Sequence, residues 1–214
     1  MVCGRRLTEG EQVLCASCNR HLPRTHYEDD AYDNEMAQLF WAQIPIERAA
    51  AFFFYQAHSE MSRMIYALKY GNHPEIGEQL GRLAAEEFQE KGFFKNIDFI
   101  VPVPLTRLRR RQRGYNQSLE IAKGVSEITS IPILNNIIKR TTFHESQTHK
   151  NRLARTENVD DVFKLSSNTI LCGKHILLID DIVTTGATIC ACGKTLQQTG
   201  EARISVFSLG FSKS

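Results

Sequence analysis

Asp180 and Asp181 end an apolar, β-branched run, Ile176 to Ile179, and are followed at once by Ile182-Val183-Thr184-Thr185-Gly186-Ala187-Thr188. A run that stops at two carboxylates and passes into a hydroxyl-rich turn predicts a buried parallel strand, a tight turn and a helix N-terminus. The turn offers backbone N–H groups with no helical partner, Gly186 lets the backbone approach a ligand, and Thr184, Thr185 and Thr188 add hydroxyl donors. The chemistry on offer is phosphate binding. Adjacent carboxylates repel that phosphate and need another partner, which sugar hydroxyls supply, directly or through Mg²⁺. A ribose 5-phosphate that carries a pyrophosphate has all of these groups. The plainer alternative, an acidic strand end before a Thr-capped helix, accounts for single residues of the string but not for the whole.

A second chemical stretch begins at Asp98. Phe99 to Val101 is predicted as a strand core, and Pro102 and Pro104 force an extended end of the sort found where a sheet meets a ligand. Thr106 to Ser118 is read as a loop with five arginines in seven positions (Arg107, Arg109, Arg110, Arg111, Arg113), then Gly114 and a polar cap. There Arg113, Asn116 and Gln117 would meet a pyrophosphate at the strand end. Two other readings stay open: the arginines hold the phosphates of a single-stranded nucleic acid, or they form a solvated loop. Further on, Thr141 to Asn158 has few apolar residues over 18 positions and carries Lys150, Arg152 and Arg155. A polar stretch of this length in a compact domain reads as a lid, whose Lys150 and Arg152 would neutralise the charge growing on a departing pyrophosphate.

Three of the six cysteines, Cys3, Cys15 and Cys18, lie near the N-terminus. Cys15 and Cys18 have the C-x₂-C spacing that puts two thiolates on one metal, so residues 1–24 read as a zinc-knuckle-like segment. The first knuckle is incomplete, since the partner expected three positions ahead of Cys3 would precede Met1. His21 or His26 could supply a fourth ligand, and free thiols are the alternative.

Positioning these groups takes one α/β domain, residues 46–214. Ala49 to Tyr55 reads as a buried strand. Met61, Met64, Ile65 and Leu68 recur at helical spacing until Gly71, Asn72 and Pro74 stop them, and Ile76, Leu80, Leu83, Ala84 and Phe88 mark one face of a second helix. Ile121, Ala122, Val125 and Ile128 mark a third. Val159 to Leu165, Lys174 to Ile179 and Ile204 to Leu209 complete the strands. A helix from Ala187 to Gln198 lies between the last two, with Ala187, Cys190 and Ala191 packed on the sheet. Thr25 to Pro45 shows no clean period and is read as a connection between the cysteine segment and the body. The 26 basic and 24 acidic residues cancel to +2, so the whole chain has no field that marks a nucleic-acid partner. No stretch reaches the length of a membrane span, and the Met1 end lacks the apolar core of a secretory signal. No membrane insertion and a cytoplasmic location are expected, with the oligomeric state open.

The string from the apolar run through Asp180-Asp181 to Thr184-Thr185-Gly186-Ala187-Thr188 resembles the phosphoribosyl pyrophosphate (PRPP) loop of type I phosphoribosyltransferases. That resemblance implies that Asp180 and Asp181 hold the 2- and 3-hydroxyls of the ribose while Thr184 to Thr188 wrap the 5-phosphate. It also implies the fold, a Rossmann-like open and mostly parallel sheet with helices on both faces. The quoted cysteines, Leu68-Lys69-Tyr70, Pro102-Val103-Pro104, Arg113-Gly114-Tyr115-Asn116-Gln117-Ser118, Gln147-Thr148, Arg152-Leu153-Ala154-Arg155 and Asn158 extend the likeness. Over nearly its entire length the chain is similar to the ComF family, bacterial proteins with a phosphoribosyltransferase domain linked to DNA uptake in natural competence. The family resemblance implies PRPP binding with Mg²⁺ and transfer of the phosphoribosyl group to a nitrogen acceptor, with zinc at the cysteines. The other function it implies is that of a PRPP sensor or single-stranded DNA binder working with the DNA-uptake machinery.

Overall fold

A computed structural model describes residues 2–140, 162–166 and 171–213. The chain opens with two short helices, α1 (Ala16–Arg20) and α2 (Glu35–Gln38), before strand β1 (Arg48–Phe54). Helices α3 (Glu60–Tyr70) and α4 (Pro74–Glu90) lead to β2 (Phe99–Pro102), and α5 (Arg107–Arg113) and α6 (Gln117–Thr129) follow. A small hairpin, β3 (Ile138–Arg140) with β4 (Phe163–Leu165), precedes the final unit of β5 (His175–Val183), α7 (Ala187–Gln197) and β6 (Arg203–Phe211).

The main sheet has the order β1-β6-β5-β2 with every pair parallel, and the hairpin is antiparallel. Its strands are continuous apolar runs because both faces are covered: Ala49 to Phe53 and Ile176 to Ile179 are buried without alternation. Since all four strands point the same way, their carboxyl ends share one edge, where an open α/β sheet takes its ligand.

Helices α4 and α6 make the largest contact between any two helices, and glycines set its depth. A Cβ on Gly124 of α6 would overlap the Glu78 carbonyl oxygen and stand 2.7 Å from the Arg82 nitrogen, both backbone atoms of α4. On the other side of the seam, a Cβ on Gly81 would overlap the Ile121 carbonyl. The close approach puts the start of α6 against the sheet, where it meets the carboxyl end of β5.

At the opposite end of the sheet, Asp98 accepts the His175 N–H (2.8 Å) and pairs with Lys174 (3.2 Å). Buried His175 is held between the Asn96 carbonyl (2.9 Å) and the Ser205 hydroxyl (2.8 Å). Burial lowers its pKa, so it is neutral there.

Three local expectations change. Thr25 to Pro45 is part of the core rather than a connection: Met36, Ala37 and Phe40 are fully buried, and the Asn34 amide donates to Asp30 and Ala49 carbonyls (2.8 Å each) while capping α2. The periodicity is absent because this segment is pinned by side-chain bonds and one helical turn. The arginine stretch is helical from Arg107, capped by the Thr106 hydroxyl on the Arg109 N–H (3.2 Å), rather than a loop. In α7 the buried small residues are Cys190, Cys192 and Gly193, whereas Ala187 is exposed and Ala191 half-buried. Val159 to Asp161 and the stretch read as a lid, Thr141 to Asn158, lie outside the described residues.

The glycine seam generates a prediction of unusual sign. Glycine to alanine inside a helix ordinarily stabilises by about 1 kcal/mol. Gly124→Ala should instead destabilise by roughly 1–3 kcal/mol, because the backbone of α4 cannot retreat. Urea denaturation of the two proteins measures the difference directly.

Candidate functional site

Strand β5 continues past Ile179, where the sequence pattern ended it, because β6 goes on pairing with Asp180, Ile182 and Val183. Both carboxylates are therefore part of a rigid strand. Asp180 Oδ1 accepts the Asp181 N–H (2.8 Å) and the hydroxyl of Ser118 (3.0 Å). Asp181 Oδ1 accepts the Ile182 N–H (2.7 Å) and lies 3.1 Å from Lys69 Nζ. All of these bonds go to Oδ1, leaving both Oδ2 atoms without a partner among the described residues. Burial, and after it the adjacent Asp181 carboxylate, pushes the Asp180 carboxyl up to about 7.

Beyond the pair, the chain turns through Thr184 and Thr185, both exposed, to Gly186 at φ +74°. Gly186 is the N-cap of α7 and gives it no side-chain cap, so the first N–H groups of that helix stay open to a ligand. A side chain would not fit here, since a Cβ would come 2.9 Å from the ring of Phe40. The turn forms a cradle of about 40 Å³ lined by Asp180 and by Ile182 through Ile189, which brings together Thr184, Thr185, Gly186, Ala187 and Thr188. Uncapped N–H groups and hydroxyls suit an anion, and two carboxylate oxygens beside them suit a vicinal diol.

Two groups that hold the acidic pair, Lys69 and Ser118, come from distant parts of the chain. Lys69 lies in the last turn of α3, whose end is fixed by the Arg113-to-Ser118 block. The Tyr115 hydroxyl donates to the Leu68 carbonyl, and Gln117 Nε2 reaches the same oxygen at 3.5 Å. Arg113 stacks over Tyr70 at 5.2 Å and donates to Gln117 Oε1 at 2.7 Å. Asn116 caps α6 and donates to the Val103 carbonyl (3.0 Å), tying the proline-rich strand end to the helix start. Gln117 is only 1% exposed, so its amide works inside the protein, where the sequence reading had it meeting a pyrophosphate. Lys69 was not singled out from the sequence for this role. Its one local sign is a lysine in the last turn of a helix, which is commonplace.

Helix α5 buries none of its residues. Among the described residues, the side chains of Arg107, Arg109, Arg110 and Arg111 have no ion-pair or hydrogen-bond partner. Between α5, the start of α6 and the hairpin lies a cleft of about 500 Å³. Arg107 and Arg110 line it from one side and Lys139, Arg140 and Lys164 from the other. Lys150 and Arg152 lie outside the described residues.

Near the N-terminus, the sulfurs of Cys3, Cys15 and Cys18 all lie within 4.8 Å of one another, with Cys3 and Cys15 3.7 Å apart. Thiolates on a tetrahedral zinc at about 2.3 Å stand roughly 3.8 Å apart, so these positions fit three corners of such a site. The Cys18 N–H does most to lower the Cys15 thiol to about 6, and burial raises Cys18 to about 11. Neither histidine completes the set. His21 Nδ1 is 2.8 Å from the Ser17 carbonyl, and His26 groups with Glu28 and Asp29 instead. No helix among the described residues is long and apolar enough to cross a membrane.

Comparison with known proteins meets this geometry from outside. Residues 67–209 match the family described as phosphoribosyl transferase domain, which spans the site from Lys69 to β6. Competence protein F of Haemophilus influenzae is 32% identical over 153 residues, covering 70% of this chain and 67% of that protein. The DNA utilization protein YhgH of Escherichia coli is 28% identical over 211 residues (97% and 88%), and Competence protein ComFC of Streptococcus pneumoniae is 28% identical over 212 (95% and 90%). Two of these likenesses run through the N-terminal cysteine segment as well as the sheet, so the chain as a whole belongs to the ComF/YhgH family of competence and DNA-utilization proteins, built on a type I phosphoribosyltransferase domain.

Proposed function

We propose that this protein binds PRPP at the carboxyl end of β5 and transfers its phosphoribosyl group to a nitrogen acceptor. The observation that carries the reading is the pairing of two free carboxylate oxygens, on Asp180 and Asp181, with an uncapped helix N-terminus four to eight residues further on. The carboxylates would accept the ribose hydroxyls, and the turn from Thr184 to Thr188 would hold the 5-phosphate. Ser118 and Lys69 fix the two carboxylates, so the sugar ring is held at both ends. Ribose C1 then gains positive character as its bond to the pyrophosphate oxygen breaks, and the nitrogen lone pair forms the new bond. No side chain has to act as a covalent nucleophile. The carboxylates are hard oxygen donors of the type Mg²⁺ accepts, and Mg²⁺ bound with the substrate would supply charge neutralisation for the leaving group. Asp180→Asn combined with Asp181→Asn should weaken PRPP binding by tenfold or more, about 1.4 kcal/mol, without lowering the thermal midpoint. Calorimetry with and without Mg²⁺ measures this, and unchanged affinity for PRPP would exclude the assignment.

A second reading, single-stranded nucleic acid as a partner, draws on α5. Four arginine side chains with no partner among the described residues, on one exposed turn-and-a-half of helix, are an electrostatic footprint for a phosphate backbone. Replacing Arg109 and Arg111 with alanine removes two such charges, so the slope of log affinity for single-stranded DNA against log salt should fall by about 1.4. PRPP affinity should not change. A salt titration of binding to a labelled oligonucleotide is the measurement.

The cysteine cluster is proposed as a zinc site with three protein ligands among the described residues. Cys15→Ser and Cys18→Ser should each abolish bound zinc in metal analysis of the purified protein. His21→Ala and His26→Ala should leave it unchanged, because neither ring places a nitrogen within 4.8 Å of all three sulfurs.

A further inference from the structure

Lys69 is placed against the usual habit of its residue type. Lysine ammonium groups ordinarily reach for water, and large aromatic rings are ordinarily covered. At the end of α3 the arrangement is reversed: the neighbouring rings of Tyr66 and Tyr70 are 66% and 61% exposed, while the Lys69 side chain is 21% exposed and turned to Asp181. The turn that carries it is held by Tyr115 and Gln117 on the Leu68 carbonyl and by Arg113 over Tyr70, so the inward position is built. The unpaired carbonyls at a helix C-terminus also favour a cation at this point. Among the described residues, Lys69 is the one cation within ion-pair distance of either carboxylate. Its ammonium carries three N–H groups and lies 3.1 Å from Asp181 Oδ1.

We propose that Lys69 is a built-in counter-ion for the acidic pair, which lets the sugar site accept a ribose 5-phosphate with no divalent cation at the carboxylates. This rests on the reading of the Asp180-to-Thr188 string given above. Negative charge on carboxylates next to the phosphate cradle would repel the phosphate of the molecule whose hydroxyls they hold. Lys69 offsets part of that charge before any ligand arrives. With PRPP, Mg²⁺ bound alongside would supply charge neutralisation for the leaving pyrophosphate; with ribose 5-phosphate Lys69 would balance the diol end without it. Lys69 is thus a positioning residue that acts through Asp181.

The test is calorimetric binding of ribose 5-phosphate, which lacks the pyrophosphate, in EDTA and in Mg²⁺, with intact folding of each variant checked by its thermal midpoint. Wild-type affinity should differ by less than about threefold between the two buffers. Lys69→Met should lose about tenfold or more in EDTA and recover most of it in Mg²⁺, and Lys69→Arg should stay near wild type in both. A wild type that needs Mg²⁺ to bind overturns the proposal without recourse to any variant. So does a Lys69→Met protein that binds as wild type in EDTA; in both cases the sugar-phosphate reading of the site survives. Failure of the wild type to bind ribose 5-phosphate or PRPP in either buffer overturns both.

Discussion

Two carboxylates on consecutive residues at the end of a buried strand are an electrostatic problem that the surrounding structure has to solve. Each carboxylate disfavours the charge of the other, and burial adds to the cost. Three devices answer this in the structure. Backbone N–H groups of Asp181 and Ile182 donate to the two Oδ1 atoms, Ser118 donates to Asp180, and Lys69 stands against Asp181. Each device comes from a different element, and each element must be held in turn. Ser118 is in place because glycines let α6 lie close on α4, and Lys69 because the first residues of α6 grip the end of α3. Much of the architecture on this side of the sheet follows from holding that pair in place.

How much of this could be read from the sequence depended on the range of the interaction. The Asp180-to-Thr188 string is local: strand, turn and helix start are contiguous, so residue type and order carried the fold and the cradle together. The strands β1, β5 and β6 were legible for the same reason, as unbroken apolar runs. The support of the pair was not, because Lys69 and Ser118 meet it only through tertiary packing. The Arg113-to-Ser118 block was noticed as basic and polar and taken to face a phosphate. What the pattern could not say is that Gln117 and Tyr115 point inward and spend their bonds on Leu68. The segment from Thr25 to Pro45 was opaque because a four-residue helix and a run of side-chain caps leave no period to detect.

Charge is also divided in space in a way that net charge conceals. The chain carries +2 overall, yet one side of the β2 end holds the acidic pair and the other the arginines of α5 that have no partner among the described residues. The start of α6 stands between them, touching the first through Ser118 and the second through Arg113. Helix α5 has no apolar residue buried to stabilise it and relies on its Thr106 cap and on arginines placed in its last turn, where the helix dipole favours them. The cysteine cluster is attached separately, with Arg24 joined to Glu87 of α4 by two bonds of 2.6 and 2.7 Å.

The sheet order has a consequence for how the molecule comes into being. Strand β1 sits at the sheet's edge, and its neighbour is β6, the last strand of the chain. During synthesis, Ala49 to Phe53 emerge early as a run that is apolar on both faces. Their partner in the sheet, β6, lies far downstream in the sequence. Pairings of such long sequence separation form slowly and leave apolar strands exposed to aggregation in the meantime. The segment from Thr25 to Ala31, which bonds to the other edge of β1 through Thr25 N–H on Phe52 and Ala49 N–H on Ala31, is already made by then. These bonds persist in the folded structure, so β1 is held on both edges, by this early segment and by β6.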